Sequence, residues 1–360
     1  MGNQAVTQQT DMQTTTDIDI EVIGNAGVLT LNRPEVLNAS SIPMLDAFSQ
    51  ILQRWSDDPS IKSVILTGTG EKAFCAGGDV PSAFRAKQDG YEDFLDQYFR
   101  KEYTLIYDIY KFPKPFVSLI NGVCMGGGIG LSIYGKHRVL SEHVKMAMPE
   151  TKIGFFTDIG GTFFLNRAPG YLGTMLALTG KTLGYQDSLF AGWGTDFVPY
   201  ANFAELKARL VQASSADEVR AAIASMSQPI GRAPLEDFQL LIDTCFQYDR
   251  VEDILEALET NGSEQALMWL NELKVLSPIS LKVELALLRR HLDMDLKDVI
   301  IREFRTCQRF MRGHDFFEGV RALLIDKDKT PKWSHSSVDK VTSEMVEEYF
   351  TPLMEKELVL

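Results

Sequence analysis

The sequence predicts an α/β core followed by a mostly helical second half. Two observations carry that class. From Ile18 to about Val139, short runs rich in Val, Ile and Leu alternate with stretches of helical spacing, the pattern of strands covered by helices. After about residue 200, apolar residues recur almost only at the three-to-four spacing of amphipathic helices. The expected organisation is a disordered tail at 1–17, an α/β core at 18–200 and a helical region at 201–360 packed on that core.

In order, IDIEVI, GVLTLN, KSVILTG, FVSLING and HRVLS read as strands, each ended by Gly, Asn or Ser. Between them, Ile42 to Trp55 places Leu45, Phe48, Ile51, Leu52 and Trp55 on one helical face, and Phe94 to Tyr110 is similar. In the second half AELKARLVQ, SADEVRAAIASM, LEDFQLLIDTC, RVEDILEALE, SEQALMWLNELKV and SPISLKVELALLRRHL are helix patterns. Ser, Asp and Pro stand at several of their starts, where caps and first turns want them. No period of 20–50 residues repeats, which argues against a solenoid.

Composition narrows the function classes. A formal charge of −13 argues against general nucleic-acid binding. No apolar run reaches the ~18 residues of a membrane helix, so neither nucleic acid nor membrane is an expected partner. Four scattered cysteines without a CxxC pair suggest free thiols in a reducing compartment, and five histidines without an HExxH pattern suggest no metal. Residues 1–17 lack both an apolar signal core and Arg or Lys, so the cytoplasm is the expected location.

Four glycine-bearing segments compete as ligand loops. GTGEKA (68–73) has the GxGxxA form of a dinucleotide fingerprint, but FCAGGD follows where a helix should open. GKT (180–182) lacks the P-loop's first glycine, since Met175 holds that position, and Gly180 reads as a helix cap. FCAGGD (74–79) and NGVCMGGGIGLS (121–132) remain. Each ends a strand and exposes backbone amides with no Cβ in the way. Facing one another they would form a two-donor oxyanion hole; tight backbone packing is the plain alternative. Finally AMPETKIGFFTDIGG (147–161) sets Glu150 and Asp158 in an apolar run, where carboxylates are costly unless paired or used.

Taken together, KAFCAGGD, KPFVSLINGVCMGGGIGLS and MPETKIGFFTDIGG resemble the crotonase (enoyl-CoA hydratase/isomerase) superfamily in order and spacing. KEYTLIYDIYKFPKP, LTGKTLGYQD, LSPISLK and MRGHDFFEGVRALLIDKDKTPKW extend the resemblance to its 3-hydroxyacyl-CoA hydrolase branch, over about residues 18–350. The resemblance implies a crotonase-like spiral of ββα turns. It implies an oxyanion hole built from the amides of Gly78 and Gly127, holding the thioester carbonyl of an acyl-CoA. Hydratases of the superfamily use two glutamates; here the first position is Gly130 and only the second, Glu150, remains.

The hydrolase pattern instead pairs Glu150 with Asp158. Glu150 would act as general base on water or as nucleophile, Asp158 would bind the substrate's 3-hydroxyl and orient water, and Glu102 would contact the hydroxyl or support it. The implied activity is cleavage of 3-hydroxyisobutyryl-CoA, with 3-hydroxypropionyl-CoA as second substrate, in valine breakdown. Coenzyme A belongs to the substrate and no other cofactor is implied. The rivals are a hydratase or isomerase of another acyl-CoA and a non-catalytic acyl-CoA-binding protein.

Several smaller expectations accompany these. Thr157 stands where a proline is common, which predicts a less stiff loop. Cys75 and Cys124 read as small packing residues and Asp79 as a loop-stabilising carboxylate. KDKTPKW lies near the CoA phosphates or forms a solvated basic patch. A homo-oligomer is left open, because superfamily members often form trimers and hexamers.

Overall fold

A computed structural model describes the backbone of Gln8–Gln9 and residues 15–360, apart from the side chains of residues 92 and 355. Ten strands are β1 (Gln8–Gln9), β2 (Ile18–Ile23), β3 (Ala26–Leu31), β4 (Ser63–Gly68), β5 (Ala73–Cys75), β6 (Phe116–Ile120), β7 (Val123–Met125), β8 (His137–Leu140), β9 (Lys145–Ala147) and β10 (Asp196–Phe197). They form a seven-stranded sheet ordered β1-β2-β3-β4-β6-β8-β10 and a three-stranded sheet ordered β5-β7-β9. The pairs from β3 to β10 across the large sheet are parallel, while β1–β2 and β2–β3 are antiparallel. Strands therefore enter in couples: β4, β6 and β8 go to the large sheet, and β5, β7 and β9 follow each into the small one. A helical segment comes after each couple, at Val80–Gln88, Gly127–Ile133 and Glu150–Ile153. This is the ββα spiral the resemblance implied.

The chain divides into two compact units, each assembled from separate stretches. The first comprises the chain up to Gly78, Thr104–Met146 and Leu183–Arg232; the second comprises Asp79–Tyr103, Ala147–Thr182 and Ala233–Leu360. The change of texture near residue 200 therefore does not coincide with a boundary between them, because a parallel spiral interleaves distant segments. Of the tail expected over 1–17, only Gln8–Gln9 and residues 15–17 are among the described residues. Gln8 and Gln9 pair with Val22 and Glu21, and the Asp17 carbonyl accepts from the Asn32 N–H, so those residues are part of the fold. Residues 1–7 and 10–14 lie outside the described residues.

In the first unit the large sheet is covered on both faces, as parallel strands require. Ala26, Val28, Ile65, Val117, Leu119 and Val139 point to the side where Phe203, Leu206 and Leu210 of one helix and Val219 and Ile223 of the next pack. Each such aliphatic side chain contributes roughly 1.5–3 kcal/mol by burial. The alternate residues face the helix Ile42–Asp57, whose Trp55 lies over Gly27 and whose Phe48 stacks on Phe116 at 6.4 Å. Ser41 caps that helix by accepting from the Met44 N–H, and Pro43 sits in its first turn, where its missing N–H costs nothing.

The second unit is a helical assembly around Leu172–Thr179, all of whose residues are buried. Gly180 closes that helix in the left-handed region, donating to the Leu176 carbonyl, which is the cap role read from the sequence. The helices Glu264–Lys274, Pro278–Arg290 and Leu296–Phe310 start at Ser263, Ser277 and Asp295, each accepting from a backbone N–H of the first turn. Among the described residues no helix is long and apolar enough to cross a membrane.

Candidate active site

The first unit supplies the amide donors. β5 and β7 run parallel with a register shift between Ala73 and Cys75, and each ends in a glycine loop. The Gly77 carbonyl accepts from the Ser40 N–H at 2.8 Å, which ties the first loop to the chain before the helix Ile42–Asp57. Gly77 has a φ of +101°, and a Cβ on it would lie 2.9 Å from the Met125 carbonyl oxygen and 3.3 Å from the Gly127 nitrogen. A Cβ on Gly128 would sit 2.2 Å from the Cys75 carbonyl oxygen. The two loops thus touch backbone to backbone, and only glycine permits that approach. Among the described residues neither the Gly78 nor the Gly127 N–H has a protein acceptor. Packing explains the glycines; it does not explain two free amides, which suit a carbonyl oxygen gaining negative charge.

The second unit gathers the acids. Glu102 lies on the helix Glu92–Lys111, Glu150 opens a short 3-10 turn behind Pro149, and Asp158 sits in the loop before the helix Gly161–Leu165. All three are buried, at 3%, 7% and 5% exposure. Tyr98 donates to Glu102 Oε1 at 3.1 Å, and Tyr103 donates to Asp158 Oδ2 at 2.9 Å. The spacing Tyr98–Glu102 is one helical turn, so the helix orients the carboxylate itself. Glu150 Oε2 is buried with no hydrogen-bond partner among the described residues. An orphaned buried acceptor carries the full desolvation penalty, and its natural partner is water or a bound substrate.

Two further acids stand beside these, and sequence reading missed both. Glu284 on Pro278–Arg290 accepts from the Thr157 N–H and the Thr157 hydroxyl, each at 2.6 Å. Glu303 on Leu296–Phe310 accepts from the N–H of Gly160, from the Thr162 N–H at 3.1 Å and from the Thr162 hydroxyl at 2.7 Å. Both are fully buried. The available signal was a charge inside an apolar stripe: Glu284 falls between Leu281 and Leu288, and Glu303 among Val299, Ile300 and Cys307. Thr157, expected to loosen the loop by replacing proline, instead anchors it, because a proline would offer Glu284 neither the N–H nor the hydroxyl.

Five buried carboxyls without an ion-pair partner among the described residues hold their protons tightly. Burial is the largest cause at each. It pushes Glu102 up to about 8, with the Asp158 charge adding and the Tyr98 bond opposing. It raises Asp158 to about 7 against the Tyr103 hydrogen bond, Glu284 to about 7 and Glu303 to about 8. Glu150 is held well above the usual carboxylate range by burial, then by Asp158, Glu284 and Glu102. Burial and mutual repulsion thus make this cluster more basic than ordinary carboxylates, which favours a role in proton transfer. Among the described residues no group of His, Cys, Asp and Glu is arranged to hold a metal ion.

Two side readings resolve here. Asp79 caps Val80–Gln88 by accepting from the Ser82 N–H at 3.2 Å, a structural task. Cys75 and Cys124 are fully buried, and burial drives the Cys124 thiol well above its usual range, so it is no nucleophile.

Similarity to known proteins agrees with this geometry. A family model described as enoyl-CoA hydratase/isomerase matches residues 26–350. The chain is 41% identical over 351 residues to the Gallus gallus protein named 3-hydroxyisobutyryl-CoA hydrolase, mitochondrial, covering 96% of this chain and 91% of that one. A solved structure titled as a carnitinyl-CoA dehydratase from Mycobacterium thermoresistibile matches with a TM-score of 0.90 and 37% identity, over 96% of this chain and 99% of that one. Another, titled as an enoyl-CoA hydratase from Rhodobacter sphaeroides 2.4.1, matches with a TM-score of 0.90 and 34% identity, over 96% and 100%. With its glycine loops, its ββα spiral and these likenesses, the chain belongs to the enoyl-CoA hydratase/isomerase, or crotonase, family.

Proposed function

We propose that this protein is an acyl-CoA thioester hydrolase that cleaves 3-hydroxyisobutyryl-CoA to 3-hydroxyisobutyrate and CoA, a step of valine catabolism, and also accepts 3-hydroxypropionyl-CoA. The observation that carries this reading is the burial of Glu150 within range of the Asp158 charge, while Gly130 leaves the other hydratase position without a carboxyl. The Gallus gallus relative bears the hydrolase name; the two structures at 34–37% identity bear hydratase or dehydratase titles. Gly130 favours the former, since hydration needs a second carboxylate to position water and deliver a proton.

In this reading the Gly78 and Gly127 amides bind the thioester carbonyl oxygen. As general base, Glu150 takes a proton from water, the hydroxide oxygen bonds to the carbonyl carbon, and the amides hold the resulting oxyanion. The C–S bond then breaks, and the proton on Glu150 passes to the thiolate to give CoA thiol. As nucleophile, Glu150 would instead expel the thiolate and form an anhydride that water opens. Asp158 accepts a hydrogen bond from the 3-hydroxyl, and Glu102 supports that contact. No cofactor is needed, since CoA enters as part of the substrate.

The proposed location is the cytoplasm, supported by four buried cysteines outside any disulfide, which a reducing interior preserves. The mitochondrial matrix is also reducing, and fractionation of the source cells separates the two.

Free thiol release tests the substrate assignment. The expected kcat/KM for 3-hydroxyisobutyryl-CoA exceeds that for isobutyryl-CoA by on the order of 100-fold or more, because a site built to bind a hydroxyl leaves its acceptor unpaired without one. Equal values for the two substrates would contradict the role of Asp158.

A further inference from the structure

We infer that Glu303 and Glu284 are positioning residues for the hydrolysis, holding the Asp158 loop in a conformation it would not adopt unaided; the inference rests on the proposed hydrolase reading. Between Thr157 and Thr162 the chain offers five donors to two carboxyl groups: the N–H and hydroxyl of Thr157 to Glu284, and the Gly160 N–H with the N–H and hydroxyl of Thr162 to Glu303. These bonds bracket Asp158 from both sides. Within the bracket, Ile159 has a φ of +56° and no exposure. A β-branched residue in the left-handed region costs of order 1–3 kcal/mol and persists only where its surroundings over-determine it.

The clamp is built on two separate helices, and one end is itself held. With the Thr162 hydroxyl hydrogen committed to Glu303, the His291 ring donates from Nδ1 to the hydroxyl oxygen at 2.8 Å. Burial, then Arg302 and Arg290, lowers the His291 pKa to about 4, so the ring is neutral at working pH. A carboxyl group suits the task because every partner is a donor. A glutamine at 303 would turn an NH2 toward a backbone N–H whichever way it faced, and one at 284 would keep the Thr157 N–H only by reversing the bond to the Thr157 hydroxyl.

Reduced kcat alone would fit general damage, so the test reads the pH profile as well. The groups that feel the Asp158 charge are Tyr103 and Glu102 from Glu92–Lys111, Glu150 from its 3-10 turn, Glu284 from Pro278–Arg290, and Glu303 and Cys307 from Leu296–Phe310. Glu284 is one of the charges that raise Glu150, so a neutral amide at 284 should let the Glu150 pKa fall. Glu303→Gln and Glu284→Gln are each expected to lower kcat about 10- to 100-fold with KM within about 3-fold, as small misplacements of a reacting group do. The acid limb of the Glu284→Gln profile should also move to lower pH.

Thr162→Val, which keeps the backbone N–H and loses only the hydroxyl, should lower kcat by about 5-fold, and it decides the matter if Glu303→Gln does not fold. Folded variants with wild-type kcat and an unmoved acid limb would overturn the inference. Wild-type thiol release is measured first: its absence would refute the hydrolase reading itself, whereas an active wild type with equally active variants refutes the clamp alone.

Discussion

Glu150→Gln is expected to lower kcat for thioester cleavage by about 10³-fold while leaving KM within a few-fold, because the carboxylate acts as proton acceptor or nucleophile only on the way to the transition state. The same substitution is expected to raise the melting temperature at pH 8. The sign follows from linkage. The buried acids bind protons more tightly in the folded than in the unfolded chain, where a Glu titrates near 4.5. Between that value and the folded pKa, the folded state holds more protons, so stability falls as pH rises. With Glu102 and Glu303 raised to about 8 and Asp158 and Glu284 to about 7, the wild-type melting temperature should decline from pH 5 to pH 8. Glu150→Gln removes one member of that set and so should decline less. Scanning calorimetry at several pH values, beside thiol-release kinetics, checks both halves. Retained activity within a few-fold would exclude Glu150 from the chemistry.

Gly77→Ala is expected to cost about 10²- to 10³-fold in kcat, comparable to losing an oxyanion donor. The residue lies next to, not in, the donor pair, and the effect comes through geometry. Its φ of +101° is strained for any side chain, and its methyl group would press on the Met125 carbonyl at 2.9 Å and the Gly127 nitrogen at 3.3 Å. The backbone that carries the Gly78 and Gly127 amides must then move. Because those amides gain strength only as the carbonyl oxygen becomes anionic, KM should change far less than kcat. A folded Gly77→Ala variant with kcat within about 3-fold of wild type would remove the oxyanion role from these loops.

The parts of this architecture that were legible in sequence are those whose information is local. Strands such as Ala26–Leu31 and Ser63–Gly68 are six residues long, enough for a β-rich run to stand out, and the helix Ile42–Asp57 repeats its apolar stripe over four turns. The small-sheet strands Ala73–Cys75, Val123–Met125 and Lys145–Ala147 have three residues each, too few for any period, and their glycine loops drew the attention instead. Glu150 and Asp158 were visible because two acids interrupt one apolar segment. Glu284 and Glu303 were not, because their partners Thr157, Gly160 and Thr162 lie more than 120 residues away and no spacing announces such pairs. A single acid in an apolar helical stripe was the only trace, and amphipathic helices tolerate such exceptions at their edges. The change of texture near residue 200 carries a different kind of information: texture reports which elements a segment forms, while compact units depend on which segments meet.

The most direct test follows two substrates in one preparation of the protein, measuring free thiol from 3-hydroxyisobutyryl-CoA and loss of the conjugated absorbance of crotonyl-CoA. The Glu150–Asp158 pairing and the missing carboxyl at Gly130 predict rapid thiol release and hydration at least about 100-fold slower. Efficient hydration of crotonyl-CoA without thiol release would contradict the account and return the protein to the hydratases whose titles its structural relatives carry.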